Sequence, residues 1–381
     1  MFERTKNIKL SPIKEMELRA SKIPGVVSLA QGIPSFDTDD FIKEKAIEAI
    51  KKGRVAKYSL SPGLPELREA VEESLAEEGM FYDFDSEIII TAGAIEAITA
   101  TLIAILNQGD EVLIPTPTYT SYQETIKVAG GTPVFVDLIE EEGWAFSIKN
   151  FEHKISSKTK AIFFCNPNNP TGTIYTKKQL LDLAELAKKH NLFIITDEVY
   201  KDFIYTDEDF FTLAQIPELR KKVIRIFSFS KGNAMTGWRV GFLHSDSSIV
   251  KEILKIHDSL VTCAPVVSQY AALGALEADK NVVEYYKQEY LKRRKLICDR
   301  LDILKDIFSY QKPNSSYFVF PKYKTGEDSK TFAVNLLEKA RVAVVPGVAF
   351  GPNGEHHVRM SFGRTEEDIN KAFNRMEKYF K

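Results

Sequence analysis

Residues 228–241 read SFSKGNAMTGWRVG, a segment that places hydroxyl groups, one amine and one guanidinium among glycines. It overlaps an apolar run, Val223 to Phe229, whose length and composition predict a buried strand. A lysine that serves only solubility more often lies on a charged helix face, so we expect the Lys231 amine to end inside a site. Burial lowers the proton affinity of a lysine and makes it a nucleophile toward carbonyl carbon. The serines and Arg239 suit a phosphate group.

These groups together predict a Schiff base between Lys231 and pyridoxal phosphate, although a lysine near serines at a strand end is, taken alone, more often a turn residue. The cofactor requires a carboxylate beside its ring nitrogen. Asp197 follows the apolar run 192–196, a predicted strand, and ligands gather at the carboxyl ends of such strands. A carboxylate and a pyridinium about 4 Å apart attract by roughly 4 kcal/mol at an effective dielectric constant near 20. The alternative for Asp197 is a helix N-cap.

Two polar residues are candidates for the cofactor's ring oxygen. Tyr200, three positions after Asp197, would place a phenol there, and Asn169, in the segment NPNNPTG of residues 166–172, would donate an amide. Asn-Pro and Thr-Gly pairs are also typical of turns. A simple connection after the predicted strand 161–165 is therefore the alternative for this loop.

A second phosphate-binding feature is predicted between a strand at 88–90 and a helix at 94–106. The connecting residues are Thr91-Ala92-Gly93, so the helix would direct free N–H groups at an anion. Gly93 would let the backbone approach closely, and Ala94 and Ile95 would donate their amides. The alternative is a plain turn between a strand and a helix.

A binding site for the substrate α-carboxylate is predicted at Arg359, because a planar guanidinium gives a carboxylate two parallel hydrogen bonds. Arg359 lies in HHVRMSFG, residues 356–363, whose alternation predicts a half-exposed strand. The alternative is a surface arginine. Gly32 would add a backbone contact where a side chain would obstruct the site.

The chain resembles the class I and II aminotransferases of the aspartate aminotransferase superfamily, which are fold type I pyridoxal phosphate enzymes. The matching motifs follow the family order along nearly the whole chain: Gln31-Gly32-Ile33-Pro34, Tyr58, Thr91-Ala92-Gly93, Tyr119, Asn169-Pro170-Thr171-Gly172, Asp197-Glu198-Val199-Tyr200, Lys231 and Arg359. The resemblance implies a three-layer α/β fold, with a mainly parallel sheet in a large domain and a smaller α+β domain.

The resemblance also implies a role for each matching residue. Lys231 is the Schiff-base lysine and the catalytic base, Asp197 contacts the ring nitrogen, and Asn169 and Tyr200 contact the ring oxygen. The remaining cofactor contacts are Tyr119 stacking on the ring, with Gly93, Ala94, Ile95, Ser228 and Arg239 at the phosphate, while Gly32, Asn169 and Arg359 bind substrate. Relatives are homodimers in which the residue matching Tyr58 reaches the phosphate of the neighbouring subunit, although Tyr58 is on sequence alone equally an aromatic in a loop that leads into a helix.

The implied reaction moves an amino group from an L-amino acid to a 2-oxo acid in ping-pong order, with Lys231 as covalent tether and general base. Relatives that prefer dicarboxylic acids often carry a basic residue where this chain has Ile95, which favours neutral, aromatic or broad donors. Asn314-Ser315-Ser316-Tyr317 departs from the family pattern and leaves the lip of the substrate pocket open to question. The alternatives are an aspartate-type dicarboxylate aminotransferase and a pyridoxal-phosphate-dependent cysteine-conjugate β-lyase.

Two other classes of protein are disfavoured by the sequence. A cofactor-binding transcription regulator needs a DNA-binding segment before Gln31, where only thirty residues stand. A nucleotide-dependent α/β enzyme needs a glycine-rich phosphate loop of the Gly-x-Gly-x-x-Gly or Walker type, which the sequence lacks.

Composition favours a cytoplasmic enzyme with small-molecule substrates. The 381 residues are 44% hydrophobic, and 51 basic against 53 acidic residues give a net charge of −2, so we expect no nucleic-acid partner. The three cysteines fit a reducing compartment, and neither they nor the pair His356-His357, expected on opposite faces of a strand, has metal-ligand spacing. The segment MFERTK at residues 1–6 has no apolar signal core. The apolar stretch 88–106 is interrupted by Gly93 and carries Glu96, so no membrane span is expected.

Alternating strand and helix patterns predict a mainly parallel sheet covered on both faces. The predicted strands are 112–114, 132–136, 161–165, 193–196, 223–229 and 240–243, followed by shorter ones at 317–320 and 343–345, and the clearest helices are 177–190 and an amphipathic one at 285–304 that would join two lobes. We place a large cofactor-binding lobe at residues 41–285. A small lobe combines residues 1–40 and 286–381.

Overall fold

A computed structural model describes residues 5, 6, 8, 10–207 and 209–381. The helices are α1 Pro12–Ala20, α2 Asp40–Lys51, α3 Pro65–Glu77, α4 Ala94–Ile105, α5 Ser121–Val128, α6 Ile148–Lys154, α7 Lys177–Lys189, α8 Ser247–Val261, α9 Val266–Glu277, α10 Asn281–Ile303, α11 Ser329–Asn335 and α12 Glu366–Phe380. The strands are β1 Val27–Ser28, β2 Ile88–Thr91, β3 Glu111–Thr116, β4 Thr132–Asp137, β5 Thr159–Cys165, β6 Phe193–Asp197, β7 Val223–Ser228, β8 Gly241–His244, β9 Phe308–Ser309, β10 Phe318–Val319, β11 Lys322–Tyr323, β12 Val342–Ala343, β13 Val345–Pro346 and β14 Val358–Ser361.

A seven-stranded sheet with the order β2-β8-β7-β6-β5-β3-β4 forms the centre of the molecule. Its strands run parallel except β8, which is antiparallel to both β2 and β7. Every residue of β2, β7 and β8 is buried. Because successive side chains on a strand point to opposite faces, this burial means that both faces of the sheet are covered. The predicted three-layer arrangement with a mainly parallel sheet is confirmed.

The predicted strands of this sheet and the helices at 177–190 and 285–304 are all present, with ends that differ by a few residues. The largest difference is in α10, which begins at Asn281. Tyr286, Tyr290 and Ile297 are buried, whereas the first five residues of the helix include none that is buried.

Of three small sheets, one joins the two ends of the chain and the other two consist of C-terminal strands. Val27 in β1 pairs with Val342 in β12, in parallel, while β14 lies between β10 and β13 and β9 pairs with β11. The N-terminal segment is therefore tied to the C-terminal region by backbone hydrogen bonds. The lobe boundary at residue 285 falls within α10 and stays a prediction.

The prediction of a half-exposed strand around Arg359 is wrong. All four residues of β14 are buried, and Arg359 has an exposed fraction of 1%. β14 is the central strand of its sheet, so both edges and both faces are covered. The histidine pair also lies outside this strand: His356 has a left-handed backbone with φ 64°, and β14 begins only at Val358.

The carboxyl ends of the parallel strands bring the polar candidates together. Asp197 is the last residue of β6, Ser228 the last of β7 and Cys165 the last of β5. These three strands are neighbours and run in the same direction, so their ends lie along one edge of the sheet. This edge forms the floor of the candidate site.

None of the helices within the described residues combines the length and apolar character that a membrane span needs. The same part of the chain contains no group of three or more His, Cys, Asp and Glu side chains placed to bind a metal ion. Cys165, Cys263 and Cys298 are free thiols.

Candidate active site

A cavity of about 330 Å³ opens at the carboxyl edge of the sheet. It is lined by most of the predicted site residues: Gly32, Ala94, Ile95, Tyr119, Asn169, Asp197, Tyr200, Ser228, Lys231, Arg239 and Arg359. Residues that are far apart in sequence therefore share one cavity. Tyr58 does not line it and has an exposed fraction of 83%.

The amine of Lys231 is held inside this cavity. Its Nζ donates a hydrogen bond of 2.9 Å to the carbonyl oxygen of Gly32, which also accepts 3.1 Å from the hydroxyl of Tyr317. Burial lowers the pKa of Lys231 to about 8, and the positive charge of Arg359 acts in the same direction. A much larger fraction of this amine than of an ordinary lysine is therefore neutral at neutral pH, and the neutral amine is the form that attacks carbonyl carbon.

The carboxylate of Asp197 is buried at the end of β6. Oδ2 accepts 2.7 Å from the hydroxyl of Tyr122, and Oδ1 accepts 3.2 Å from the backbone N–H of Val199. Burial raises the pKa of Asp197 to about 6, and the hydrogen bond from Tyr122 is the strongest influence in the opposite direction. Asp197 is thus a carboxylate that a cationic neighbour would keep ionised.

Hydrogen bonds through Asn169 connect Tyr200 with Arg359, and all three residues line the cavity. Asn169 Nδ2 donates 3.3 Å to the hydroxyl of Tyr200, and Asn169 Oδ1 accepts 3.1 Å from Arg359 Nη1. The amide orientation of Asn169 follows from these two partners, because its oxygen faces a cation and its nitrogen faces a hydroxyl.

Arg359 is a buried cation without a carboxylate partner among the described residues. Its other bond goes from Nη2 to the carbonyl oxygen of Ala30, at 2.5 Å, and Nε has no hydrogen-bond partner. Burial lowers the pKa of Arg359 to about 10. A buried guanidinium that lacks a counter-ion is a binding site for an anion from outside the chain.

An anion-binding corner lies at the start of α4. Gly93 precedes this helix with φ 80° and provides no side-chain cap, so the first amides of α4 point into the cavity without an intrahelical acceptor. A Cβ at Gly93 would lie 2.6 Å from Arg239 Nη2. Arg239 itself has a left-handed backbone, φ 56°, and donates only to the carbonyl oxygens of Thr236 and Ala92, at 3.0 and 3.4 Å. Its guanidinium retains donors for an anion.

Two buried hydroxyls complete this corner. Ser228 Oγ lies 2.8 Å from Ser230 Oγ and 3.1 Å from the carbonyl oxygen of Val240. Helix amides, a guanidinium and hydroxyls at one end, a carboxylate at the other and a nucleophilic amine between them fit pyridoxal phosphate. The two charged ends match its phosphate and its pyridine nitrogen.

The turn before α4 is braced by a buried network on its far side. Glu96 Oε2 accepts 3.1 Å from the backbone N–H of Ala92, and both Glu96 carboxylate oxygens lie 3.1 Å from His257 Nδ1. His257 Nε2 lies 3.0 Å from the carbonyl oxygen of Ser61, in the loop that follows Tyr58. The anion-binding turn and the Tyr58 loop are therefore joined through two side chains.

Several cavity residues were not predicted from the sequence: Ser11, Ile13, Lys14, Glu17, Tyr122, Cys165, Ser230 and Phe318. Ser230 had a signal, since it stands one position before the lysine. Tyr122 had none, because the direction of its hydroxyl depends on how α5 packs on the sheet. The α1 side chains lie far from every motif in sequence.

The predicted stacking residue Tyr119 lines the cavity half-buried. Its ring meets that of Tyr122 edge-on, with centroids 5.5 Å apart. One face of the Tyr119 ring is therefore not occupied by this neighbour, and the stacking role stays a prediction.

Comparisons with known proteins agree with the geometry. Residues 24–376 match the family model described as aminotransferase class I and II. The chain is 39% identical to the aspartate aminotransferase of Pyrococcus abyssi, over 99% of this chain and 97% of that protein. It is 38% identical to aromatic-amino-acid aminotransferase 2 of Thermococcus litoralis, over 100% of this chain and 98% of the relative. The solved structure of Thermus thermophilus aspartate aminotransferase with maleate superposes with a TM-score of 0.93 at 32% identity, covering 99% of both chains.

A buried lysine, a buried carboxylate and the start of α4 fit a pyridoxal-phosphate enzyme of fold type I, and the family match identifies it as a pyridoxal-phosphate-dependent transaminase. The chain belongs to the class I and II aminotransferases.

Proposed function

We propose that the protein transfers the amino group of an L-amino acid to a 2-oxo acid in ping-pong order, with neutral or aromatic donors preferred. The observation that carries this proposal is the cavity in which Lys231, Asp197 and Arg359 converge. When bound, pyridoxal phosphate supplies an electron sink for the electrons released at the substrate Cα. The donor would leave as a 2-oxo acid before the acceptor 2-oxo acid enters.

Each polar residue of the site has a separate role in this reaction. Arg359 binds the substrate α-carboxylate through its guanidinium, and this interaction fixes the direction of the Cα–H bond. Lys231 Nζ, neutral in part because burial lowers its pKa to about 8, would take the proton from Cα and deliver it to the cofactor rather than back to Cα, so that the donor can leave as a 2-oxo acid. Asp197 holds the charge of a protonated ring nitrogen, and Asn169 with Tyr200 contacts the ring oxygen. Gly93, Ala94, Ile95, Ser228 and Arg239 hold the phosphate.

Ile95 supports a preference for neutral donors. Its side chain is partly exposed and lines the cavity, and relatives of the dicarboxylate type often carry a basic residue at this position. An aspartate-type activity is the second candidate, because relatives at similar identity are named aspartate aminotransferases. Relatives named aromatic aminotransferases match equally well.

A single-turnover experiment tests this proposal. Stoichiometric holoenzyme is mixed with one amino acid at a time, without an acceptor, and the oxo acid released is counted. We expect one oxo acid per active site, with the reaction resumed by adding a 2-oxo acid. Continued release of pyruvate and ammonia from a cysteine conjugate without any acceptor would instead establish a β-lyase.

We further propose a homodimer whose active sites are shared through Tyr58, which is exposed in this protomer as a residue reaching a neighbour's site would be. Complementation tests it. In a mixed dimer of Tyr58→Ala and the inactive Lys231→Ala chain, one site regains both native residues. Activity per Tyr58→Ala chain should therefore rise when inactive chain is added, whereas unshared sites would show no rise. A cytoplasmic location stays a prediction.

A further inference from the structure

We propose that Glu17 is a specificity-determining residue, which disfavours donors with a second carboxylate by neutralising Lys14 at the entrance to the cavity. This inference rests on the proposed aminotransferase function and concerns the same site. It assigns a role to α1, a helix that carries none of the family motifs.

The cations that line the cavity support this assignment. Among the described residues they are Lys14, Lys231, Arg239 and Arg359. Arg359 is reserved for the α-carboxylate, Arg239 for the phosphate, and Lys231 for the cofactor and the Cα proton. Among the described lining residues of this chain, Lys14 is therefore the cation left to meet a second carboxylate on the substrate side chain.

Lys14 is already paired. Its Nζ lies 3.0 Å from Glu17 Oε2, one helical turn further along α1. The Lys14 side chain is 69% exposed, whereas that of Glu17 is only 18% exposed, so the carboxylate is the deeper of the two groups. A substrate carboxylate would have to compete with Glu17 for Lys14 and would approach a like charge while doing so.

The negative charge of Glu17 also reaches the substrate site. Burial lowers the pKa of Arg359, and Glu17 is among the groups whose charge acts in the opposite direction. Glu17 and Arg359 line the same cavity, so a substrate bound at Arg359 through its α-carboxylate would meet the field of the Glu17 carboxylate.

The remaining lining on this side suits an uncharged side chain. Ile13, Ile33, Ile95 and Phe318 all line the cavity. The side chain of an apolar or aromatic donor would move out of water and pack against these residues. Its binding would not require the ion pair between Lys14 and Glu17 to break. The two features act together: the isoleucines favour neutral donors and Glu17 disfavours acidic ones.

The test compares aspartate with phenylalanine in the single-turnover reaction of the holoenzyme, using wild type, Glu17→Gln, Lys14→Met and the double variant. Inhibition constants for maleate, a dicarboxylate without an amino group, give a second readout independent of turnover. Glu252→Gln is the matched control, since Glu252 forms an equivalent exposed pair with Lys255 at 2.7 Å outside the cavity.

We expect Glu17→Gln to raise the aspartate-to-phenylalanine ratio of kcat/KM by about two- to fivefold, the range that corresponds to the weak coupling of exposed ion pairs. The constant for maleate should fall by a similar factor. Both effects should be smaller in the double variant than in Glu17→Gln, because Lys14 is then absent, and Glu252→Gln should match wild type.

An unchanged ratio in Glu17→Gln, or a rise that is as large without Lys14 as with it, overturns the assignment while leaving the aminotransferase function intact. So does a wild-type enzyme that reacts faster with aspartate than with phenylalanine. A wild-type holoenzyme that reacts with no amino acid overturns the proposed function itself, and the inference with it.

Discussion

Three ionisable side chains determine the chemistry of the cavity, and burial displaces the pKa of each. It lowers the pKa of Lys231 to about 8 and of Arg359 to about 10, and it raises the pKa of Asp197 to about 6. Each displacement favours the neutral form, as desolvation must. A ligand that brings an anion to Arg359 and a cation to Asp197 restores their charges and leaves the Lys231 amine as the nucleophile.

The lowered pKa of Lys231 predicts how the apo protein captures pyridoxal phosphate. The neutral amine is the reactive form, and its fraction grows as pH rises, so the capture rate should increase about tenfold per pH unit below pH 8 and level off above it. Stopped-flow absorbance at subsaturating cofactor measures this rate. The same measurement with N-acetyl-lysine amide in place of the protein shows how much of the pH dependence comes from titration of the cofactor itself. A midpoint near the ordinary lysine value of 10.5 would contradict the buried setting of Lys231.

Tyr122 should control the pH range in which the cofactor is held. Tyr122→Phe removes a hydrogen bond to the ionised Asp197, and such bonds contribute about 1.5–3 kcal/mol, or roughly one to two pH units. The pKa of Asp197 should rise, so cofactor affinity should be lost at a higher pH as the solution is acidified. Equilibrium titration between pH 5 and 8 measures this midpoint.

Tyr175→Phe is the matched control for that measurement. Tyr175 is also buried, but its hydroxyl accepts from Asn168 Nδ2 at 3.2 Å and has no bond to Asp197. Equal midpoints in the two variants would show that the bond from Tyr122 does not set the acidic limit.

Single residues differed in how far the sequence could predict them. Lys231, Asp197 and Asn169 follow predicted strands, and strand ends meet at one edge, so their convergence was predictable. Tyr122 was missed, because the partner of a buried hydroxyl depends on the packing of a whole helix. Lys14 and Glu17 were missed because nothing in a short amphipathic segment tells where it docks.

At the scale of elements, the turn before α4 depends on a brace from outside the cavity. Glu96→Ala would leave the N–H of Ala92 without its acceptor and would remove the carboxylate that contacts His257 Nδ1. Unsatisfied buried groups cost about 1–3 kcal/mol each, so we expect the free energy of unfolding of the apo protein to fall by about this amount, and cofactor affinity to weaken as the turn loosens. Urea unfolding and cofactor titration measure the two effects.

Thr99→Ala provides the comparison on the same helix. It removes only a hydrogen bond of 2.7 Å from Thr99 to the carbonyl oxygen of Ile95. If both variants bind the cofactor as tightly as wild type, the Glu96 brace has no part in forming the anion site.

The strands and helices with a clear hydrophobic pattern were predictable from the sequence. The predicted exposure of β14 was wrong, because the burial of this strand depends on its neighbours in the fold. The run Val223 to Phe229 is apolar except for Arg225 and Ser228, which is close to the composition of central parallel strands. In β14 the polar residues Arg359 and Ser361 gave an alternation that indicated exposure. Both are buried because β10 and β13 flank the strand, and two nitrogens of the Arg359 guanidinium donate to Asn169 and Ala30.

At the scale of the whole molecule, a buried ion pair behind the active site ties β6 to β7. Arg225 and Glu198 form a salt bridge with both side chains almost fully buried, and Thr212 donates 2.6 Å to the same carboxylate. Removing one partner of such a pair leaves an uncompensated charge. Arg225→Met should therefore lower the free energy of unfolding by about 3–5 kcal/mol.

Thermal or urea unfolding of the apo protein measures this loss. Lys178→Met, which breaks the exposed Lys178–Asp182 pair, should change stability by less than about 1 kcal/mol. A similar small effect in both variants would mean that Glu198 finds another partner or is protonated when Arg225 is absent.

Two statements about the whole molecule stay predictions: the homodimer and the division into lobes at residue 285. Dimer contacts depend on the shape of a surface formed only after folding, and α10 runs continuously across the lobe boundary. Neither property has a periodic signature in sequence, whereas the central sheet does.

Borohydride reduction of the protein with pyridoxal phosphate, followed by peptide mass spectrometry, tests most directly that Lys231 binds the cofactor covalently. We predict one reduced pyridoxyl phosphate group per chain, located on Lys231. Lys231→Arg, which keeps the positive charge, should take up none and should lose multiple turnover. Labelling spread over surface lysines, or a Lys231→Arg variant that still turns over repeatedly, would contradict the account.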